Sequence, residues 1–350
     1  MRKRILFITS GMQTGGAERQ LVLLAAGMRD RGHRVTILSL STISDQKSVI
    51  DCGSLPVLTI SLRKSVFLLC DITALLLAAK RVKPDIIQGW MYTGNIISSL
   101  VATFLRKPHL HSLRASDMDS NRYWVQIRLN AFLSALPRKI VANSHAGQNF
   151  HEMSRFKKTK IAVIGNAIDT NYFKPNRRST EVMRKKLHIP KEKTVILYVA
   201  RLDPMKAHNV VIQLANTLQD ACFIFSGKGT DEIALPSNVI GLGIVNDMPA
   251  LYNTADLLVN FSHFGEGFPN VICEALACGV PVLANDVGDT RRIIGDEFTL
   301  ENLEIPQLMR KIQVIFQDKK LDKKIVSLRH KIIESYSIKK MLDDYEKFYI

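Results

Sequence analysis

Two carboxylates and a predicted helix start stand close together near the end of the chain. The string Glu266-Gly-Phe-Pro-Asn-Val-Ile-Cys-Glu274-Ala-Leu-Ala-Cys-Gly279 places its two acids eight positions apart. Pro269 suits the first turn of a helix and Gly279 suits its end, so a helix should begin beside Glu266. Free backbone N–H groups of a first turn attract phosphate, and carboxylates accept hydrogen bonds from hydroxyl groups. The string therefore fits a sugar joined to a phosphate.

Glu274 strengthens this interpretation because its surroundings are apolar. It is the only charged residue between Glu266 and Asp286. A carboxylate buried in such a helix needs a partner or a function, and Asn270 lies four residues before it on the same helical face. An ordinary buried helix with one paired glutamate explains Glu274 alone, but it does not explain the whole string.

Two cations follow a predicted strand in the same half of the chain. The segment Val199-Ala-Arg201-Leu-Asp-Pro-Met-Lys206 begins at the end of that strand, where open parallel sheets bind their ligands. Cations placed there would stabilise negative charge on a departing phosphate. A solvated basic loop is the alternative. The glycine-rich turn at Gly227 follows a later predicted strand, and a plain turn explains it well.

A second glycine-bearing loop lies near the N-terminus. Gly15-Gly16-Ala17-Glu18 follows the apolar strand 5–9 and opens an amphipathic helix. Glycine lets the backbone approach a ligand closely, and the helix start suits phosphate. The loop is not G-x-G-x-x-G, so its dinucleotide signal is weak, and a tight turn explains it equally well.

The elements that must hold these residues alternate between strand and helix. This order predicts an α/β protein with parallel sheets covered by helices on both faces. A length of 350 residues suits two domains. We predict an N-terminal Rossmann-like domain over 1–173 and a C-terminal one over 194–335. Residues 174–193, which are polar and basic, would form the linker, and residues 336–350 an amphipathic helix.

The charge is unevenly distributed. Residues 1–170 hold 24 Lys and Arg against 10 Asp and Glu, whereas residues 171–350 hold 24 against 22. A basic surface favours nucleic acid, acidic lipid or a pyrophosphate-bearing substrate. No zinc-finger spacing, RNP string or long Lys/Arg run supports nucleic acid. We therefore predict peripheral binding to an anionic membrane surface.

Cysteines and apolar runs bear on the compartment. The five cysteines form no pattern and suit reduced side chains in the cytoplasm. The first apolar run is too short for a signal peptide. Residues 66–79, which Asp71 interrupts, fall short of the ~20 residues of a spanning helix. We expect a cytoplasmic protein on the inner face of the plasma membrane.

With GFPNV and EALACG around it, the Glu266–Glu274 string resembles the E-x7-E motif of retaining glycosyltransferases of the GT-B fold, in particular glycosyltransferase family 4. The resemblance covers essentially the whole chain. It implies two Rossmann-like domains facing a central cleft, with the final helix over 336–350 returning to the N-terminal domain. It also implies transfer of a sugar, with retention of its anomeric configuration, from a nucleotide-sugar that we expect to be UDP-linked. The acceptor would be a hydroxyl of a glycan or of a polyprenyl-diphosphate-linked glycan in lipopolysaccharide or capsule assembly.

The resemblance also assigns roles on the donor side. Glu266 would hold sugar hydroxyls, while Arg201 and Lys206 would stabilise the diphosphate; these three are the expected catalytic residues. Glu274 would hold the ribose hydroxyls. The remaining expected donor-binding residues contribute mainly main-chain groups: Gly16, Gly227, Gly267, Phe268, Pro269, Asn270 and Val271. No metal or other cofactor is expected, because helix ends and cations can replace it.

On the acceptor side, the GGAER loop implies Gly15 and Glu18. Many relatives place a histidine near the reacting sugar in the region that corresponds to residues 109–117. We expect Arg114 at that place here, as the first choice for a phosphate or sugar contact, with His111 second. A core or surface role for both is about as well supported by the sequence.

Two other functions stay open. A nucleotide-sugar epimerase of the same fold would release a free sugar without an acceptor. A non-catalytic basic protein that binds anionic lipid or nucleic acid would explain the charge, but it would leave Glu266 and Glu274 without a role.

Overall fold

The computed structural model of the chain describes residues 2–13, 15–41, 50–61, 68–114, 116 and 120–349. It divides into two compact units. Unit 1 comprises Met1–Ala167 with Ile338–Ile350, and unit 2 comprises Ile168–Ser337.

The described part of unit 1 is a parallel sheet with helices on its faces. Its strands are β1 (Arg4–Thr9), β2 (Arg34–Ser39), β3 (Val57–Thr59), β4 (Ile86–Trp90), β5 (His109–Leu113), β6 (Lys139–Ala142) and β7 (Ile161–Val163). The first five helices are α1 (Gly16–Asp30), α2 (Leu68–Val82), α3 (Met91–Leu105), α4 (Ser120–Leu133) and α5 (His145–Met153). The described strands pair in the order β3-β2-β1-β4-β5-β6-β7. The residues of β4 and β5 are all buried, as expected for strands covered on both faces.

The last helix of the chain, α13 (Ile338–Tyr349), belongs to unit 1 and packs on α1. Met341, Leu342 and Tyr345 are buried at helical spacing in the same cluster as the apolar face of α1. Gly27 of α1 leaves room for this approach, since a Cβ there would lie 2.5 Å from the Leu342 side chain. Arg31 at the end of α1 also binds Asp343 and Glu346.

Unit 2 repeats the design with a second parallel sheet. Its strands are β8 (Val195–Val199), β9 (Cys222–Ser226), β10 (Val239–Gly241), β11 (Leu257–Asn260), β12 (Val282–Asn285) and β13 (Thr299–Leu300). Its helices are α6 (Arg177–Lys186), α7 (His208–Thr217), α8 (Met248–Thr254), α9 (Asn270–Ala277), α10 (Thr290–Ile294), α11 (Ile305–Gln317) and α12 (Leu321–Tyr336). The strands pair in the order β10-β9-β8-β11-β12-β13.

Each sheet has one point at which the strand order reverses. In unit 1 this point lies between β1 and β4, and in unit 2 it lies between β8 and β11. Loops from neighbouring strands diverge there at the carboxyl edge and leave a crevice, which is where open α/β sheets bind ligands. The two carboxyl edges are therefore the places to look for a site.

Residues 174–193, predicted to be a linker, are instead part of unit 2. They contain α6, which is fastened to α8 and its flank. The Thr180 hydroxyl donates to the Asn253 carbonyl at 2.7 Å, and Arg184 donates to Asp256 at 2.8 Å. None of the α6 side chains is buried, and an exposed helix can consist of polar and basic residues. This is why its sequence resembles that of a linker. The first unit also ends at Ala167, a few residues before the predicted boundary at 173.

Within the described ranges, no helix combines the length and the apolar character needed to cross a bilayer.

Candidate active site

At the carboxyl edge of the unit 2 sheet, a lysine and a glutamate from neighbouring strands form an ion pair. Lys206 lies in the loop after β8 and Glu266 in the loop after β11. The Lys206 Nζ donates to Glu266 Oε1. Their side chains are 16% and 15% exposed, so the pair is largely shielded from bulk water while one side still reaches solvent. The two predicted catalytic residues thus meet at the point where the strand order reverses.

Ser262 completes this pair, and sequence reasoning missed it. Its hydroxyl donates to Glu266 Oε1 at 2.8 Å and accepts from the Lys206 Nζ at 3.3 Å. Asn285 fixes Ser262 through two hydrogen bonds. Its Oδ1 accepts from the Ser262 N–H at 3.0 Å, and its Nδ2 donates to the Ser262 carbonyl at 2.8 Å. Ser262 follows β11 and Asn285 ends β12. The sequence signal that could have indicated Ser262 was therefore its position at the end of a predicted strand, beside the end of the next one.

Arg201, the third predicted catalytic residue, stands apart from this cluster. Its Nε donates to Asp203 Oδ2 at 2.9 Å, and its side chain is 60% exposed. Partial burial of Asp203 opposes its ionisation, yet hydrogen bonds from the Met205 N–H and from Arg201 prevail and lower the pKa of Asp203. Asp203 therefore stays ionised and holds one side of a guanidinium that still faces solvent.

The loop between Glu266 and α9 presents its main chain at the edge of unit 2. Phe268 is buried and packs edge-to-face on Tyr336, with ring centroids 5.0 Å apart. This contact anchors residues 267–271. Pro269 precedes α9 and provides no side-chain cap, so the first-turn N–H groups of Asn270 and Val271 suit an anionic ligand. The structure therefore brings the predicted donor-binding loop beside the Lys206–Glu266 pair.

Glu274 lies one turn into α9, in surroundings unlike those of Glu266. It is 6% exposed, and its Oε2 accepts a hydrogen bond of 2.7 Å from the buried Tyr252 hydroxyl. Tyr252 comes from α8, and nothing in the motif pointed to it. The two acids of the string thus serve different environments: Glu266 faces a cation, and Glu274 faces a phenol hydroxyl.

Two glycines allow loops to press against the site. Gly288, with φ +68°, leaves no space for a side chain, since a Cβ there would lie 2.5 Å from the Gly267 carbonyl oxygen and 2.7 Å from that of Glu266. Gly227, with φ +144°, packs its backbone on the start of the Arg201 loop, where a Cβ would lie 2.7 Å from the Arg201 nitrogen. Both positions therefore require glycine, and both support segments that carry predicted site residues.

In unit 1, the start of α1 carries the predicted glycine loop. Gly15 precedes the helix and Gly16 is its first residue. The Glu18 carboxylate folds back over Gly15 and fills the space that a side chain there would need. Burial raises the pKa of Glu18. Gly16, which was predicted to bind the donor, thus lies in unit 1, whereas the other predicted donor-binding residues lie in unit 2.

A cavity of about 380 Å³ opens at the carboxyl edge of the unit 1 sheet. It lies at the reversal point, next to the ends of β1, β4 and β5. Met91, where α3 leaves β4, has a left-handed backbone with φ +64°, and such strain often marks functional sites. The lining residues are Ser10, Met91, Tyr92, Thr93, Leu113, Arg114, Tyr123 and Gln126.

Arg114 lines this cavity, but its guanidinium is bound to unit 1 itself. It lies over the Trp90 ring, 3.8 Å from the centroid, and donates to Asn166 Oδ1 at 3.1 Å and to the Tyr345 hydroxyl of α13. Burial lowers the pKa of Arg114. These contacts favour a role for Arg114 as an anchor for α13 over the predicted phosphate or sugar contact.

The structure corrects the prediction that His111 is an acceptor-side contact. This side chain is fully buried in the middle of β5, and its Nε2 lies 2.9 Å from the Ser99 hydroxyl. Its ring lies against His109, with centroids 5.2 Å apart. Burial, and then the neighbouring His109, hold the pKa of His111 well below its usual range. A residue so enclosed cannot contact an acceptor.

For metals, the described residues contain no group of three or more acidic, histidine or cysteine side chains that could hold an ion. The sequence also contains one Asp-x-Asp string, Asp117-Met118-Asp119, whose carboxylates are of the type that binds Mg²⁺ or Mn²⁺. Both of its acids lie outside the described residues. Transfer without a metal therefore stays a prediction.

Two family models match the chain, one in each half. Glycosyltransferase Family 4 matches residues 14–172, and Glycosyl transferases group 1 matches residues 179–331. The two matches follow one another and together span most of the chain.

Curated relatives are similar over part of their length. The putative teichuronic acid biosynthesis glycosyltransferase TuaC of Bacillus subtilis is 26% identical over 219 residues, which cover 61% of this chain and 56% of TuaC. The UDP-Gal:alpha-D-GlcNAc-diphosphoundecaprenol alpha-1,3-galactosyltransferase of Escherichia coli is 25% identical over 210 residues, which cover 55% of this chain and 54% of that enzyme. The chain thus spans about half the length of the curated relatives it matches.

Among solved structures, Anabaena HepE in complex with UDP is similar over 99% of both chains, with a TM-score of 0.86 and 19% identity. HepE has also been crystallised with UDP-glucose. At this identity the likeness concerns the fold. It confirms the predicted fold class of two Rossmann-like parallel-sheet domains.

Proposed function

Because the chain belongs to the glycosyltransferases of the GT-B fold, with a family 4 part followed by a group 1 part, we propose that it transfers a sugar from a nucleotide-sugar to a hydroxyl group. The donor is UDP-linked, and the acceptor is a glycan or a polyprenyl-diphosphate-linked glycan in polysaccharide assembly. The observation that carries the proposal is the Lys206–Glu266 pair beside the start of α9. The names of the two curated relatives and the UDP bound to HepE support the substrate classes.

Donor binding would exchange the partners of the ion pair. Before the donor arrives, Lys206 and Glu266 neutralise each other and are held in place by Ser262. A diphosphate offers Lys206 a more highly charged partner than one carboxylate. Glu266 can then accept hydrogen bonds from the sugar hydroxyls instead. The same two residues thus recognise the two halves of a nucleotide-sugar, the phosphate and the sugar.

The chemistry needs charge stabilisation more than proton transfer by the protein. As the bond between the anomeric carbon and the phosphate oxygen breaks, negative charge grows on the diphosphate. Lys206, the exposed side of Arg201 and the first-turn N–H groups of α9 are suited to stabilise that charge. The departing diphosphate can help to deprotonate the acceptor hydroxyl as it attacks from the same face. This route retains the anomeric configuration and requires no metal. Glu274 would hold the ribose hydroxyls.

The acceptor would bind in unit 1. The cavity beside Met91 and Tyr92 has the mixed apolar and hydroxyl lining that carbohydrate or a lipid-linked diphosphate can use. Gly15 and Glu18 lie at the start of α1, the element that follows β1 at the same edge. The reaction would take place in the cytoplasm, at the inner face of the plasma membrane.

A panel of UDP-sugars incubated with the purified chain, with and without lipid-linked glycan acceptors, tests the proposal through UDP release. We expect release that requires both one particular donor and an acceptor, and a product whose new linkage keeps the donor's anomeric configuration by NMR. Free sugar and UDP without an acceptor would favour an epimerase. An inverted linkage would contradict retention, and no UDP release from any donor would contradict the transferase activity.

A further inference from the structure

Helix α4 of unit 1 exposes large apolar side chains on the side that faces away from the core. Its inner side buries Ile127 and Asn130. Its outer side exposes Trp124 by 54% and Phe132 by 81%. The full set of large apolar residues exposed on α4 and just after it is Trp124, Val125, Leu129, Phe132 and Leu136, and we call it the α4 face. A soluble surface helix normally places charged residues there.

The α4 face is continuous along the helix. Val125, Leu129 and Phe132 recur at spacings of four and three residues, so they form one stripe on the helix, and Leu136 follows just after its end. Trp124 lies beside this stripe. Single exposed apolar residues are ordinary, but a contiguous stripe of aromatic and aliphatic side chains marks a surface that something covers.

Cations lie next to the α4 face. Residues 120–160 contain eight Lys and Arg and a single acid, Glu152. Arg128 lies over the Trp124 ring, 5.6 Å from its centroid. Beside Phe132, an open cavity of about 450 Å³ is lined by Arg155, Lys157 and Lys158. The surface therefore offers apolar side chains for insertion and a basic pocket next to them.

We propose that the α4 face docks on an anionic lipid bilayer, with Trp124 and Phe132 inserted among the acyl chains and the basic pocket on lipid phosphates. Interfacial helices bind membranes through this pairing of apolar face and cations. A second copy of the chain is a poorer occupant, because two such basic surfaces would repel each other. Nucleic acid would use the cations, but it would leave the aliphatic side chains Val125 and Leu129 in water.

The same helix connects this surface to the proposed acceptor cavity. Tyr123 and Gln126 of α4 line that cavity, while Trp124 and Val125 between them point outward. A docked α4 would hold the cavity close to the headgroup layer, where the diphosphate of a lipid-linked glycan lies. This link between docking and the cavity rests on the proposed function, because it takes the acceptor to be a lipid-linked glycan.

The two tryptophans of the chain provide a direct test. Trp90 is fully buried, whereas Trp124 lies in the α4 face. The full-length protein is mixed with vesicles of phosphatidylglycerol and phosphatidylcholine, or of phosphatidylcholine alone, whose acyl chains carry bromine. We expect co-flotation and fluorescence quenching with phosphatidylglycerol only. The Trp124→Phe variant should still float but lose the quenching.

Two sets of variants separate insertion from charge attraction. Trp124→Glu with Phe132→Glu should weaken vesicle binding by at least about a hundredfold, since two large apolar side chains no longer insert. Replacing Arg155, Lys157 and Lys158 by Gln should weaken it by about a hundredfold. The matched control is Val314→Glu with Val326→Glu, two exposed apolar residues of unit 2, and it should bind like the wild type.

Several results would overturn the proposal. These are equal binding to neutral vesicles, flotation without quenching of Trp124, or no flotation at all. Self-association by sedimentation that Trp124→Glu with Phe132→Glu abolishes would assign the α4 face to a second copy. Stabilisation by UDP, measured on the same proteins without vesicles, reports on the donor site separately. A chain that binds UDP but not vesicles would therefore contradict only the docking surface.

Discussion

The carboxyl edges of the two sheets have the same architecture, but one carries charged side chains and the other mostly apolar and hydroxyl-bearing ones. At the edge of unit 2, Lys206, Glu266 and Ser262 bind one another, and one side of the Lys206–Glu266 pair reaches solvent. At the edge of unit 1, Arg114 turns back onto Trp90 and Tyr345, and what faces the cavity is mostly apolar or hydroxylic. A site for a diphosphate needs charges at fixed places, whereas a site for a glycan or lipid depends on shape. The donor edge can therefore be recognised from a short string of residues, and the acceptor edge cannot.

The largest effect that this contrast predicts is on transfer at the donor edge. Glu266→Ala should lower the rate of sugar transfer by roughly 100- to 1,000-fold, because hydrogen bonds to the reacting sugar are lost. UDP affinity should stay the same or rise, since Lys206 loses its competing partner and UDP lacks the sugar. Kinetics and UDP titration of the variant measure both effects. Glu334→Ala, an exposed acid of α12, is the control. Transfer at the wild-type rate would remove Glu266 from the site.

A backbone change at Gly288 tests what shapes the donor edge of unit 2. Gly288→Ala should destabilise unit 2 by about 1–2 kcal/mol from its left-handed φ alone, with an added loss from contact with the Gly267 and Glu266 carbonyls. UDP binding should weaken as that loop shifts. Gly295→Ala is a matched control: its φ is +80°, but no atom lies within 4 Å of the added Cβ.

Urea unfolding and UDP titration of both glycine variants separate backbone strain from contact. We expect Gly295→Ala to lose stability without losing UDP affinity. If Gly288→Ala bound UDP as tightly as Gly295→Ala did, the loop at Gly288 would have no part in shaping the donor edge.

Acid should weaken unit 1 through its buried histidines. Burial lowers the pKa of both His109 and His151 to about 4. Unfolding restores ordinary values near 6.5, so below that pH the unfolded chain binds protons that the folded unit does not. Stability should therefore fall between about pH 6.5 and pH 4, by roughly 1 kcal/mol per histidine at pH 5.5.

Tryptophan fluorescence follows this acid effect in unit 1, because Trp90 and Trp124 both belong to that unit. The midpoint of thermal unfolding should drop as the pH is lowered. His151→Gln should flatten the dependence, since glutamine takes up no proton in this range. A midpoint that does not change between pH 7 and pH 5 would contradict the buried, neutral state of these histidines.

The smallest effect concerns Arg114. Arg114→Lys keeps the charge but loses the planar stacking on Trp90 and the paired hydrogen bonds to Asn166 and Tyr345, so we expect a loss of about 0.5–2 kcal/mol in stability. The KM for the acceptor should not change. A raised acceptor KM at unchanged stability would restore Arg114 as an acceptor contact and weaken the contrast between the two edges.

The sequence predicts what depends on local order. Alternating strands and helices indicate the two parallel sheets, and Glu266 and Lys206 follow strands that end at one edge, so their meeting could be expected. The helical spacing of Met341, Leu342 and Tyr345 likewise marks one apolar face of α13.

What the sequence does not predict depends on contacts between distant segments. The partner of Arg114 is Tyr345, more than 200 residues away, and that of Glu274 is Tyr252 on another helix. His111 lies in a strand that is buried on both faces, so alternation along it gives no exposed side. Ser262 carries no motif, and only the pairing of β11 with β12 brings it to Asn285.

Calorimetric titration with UDP tests most directly whether the carboxyl edge of unit 2 binds the nucleotide diphosphate. We expect the wild type to bind UDP saturably and Lys206→Ala to bind it about 10- to 100-fold more weakly, as when a hydrogen bond between charged groups is lost. Lys185→Ala, which removes an exposed cation from α6, should bind UDP like the wild type. Equal UDP affinities for Lys206→Ala and the wild type would contradict the donor site at this edge.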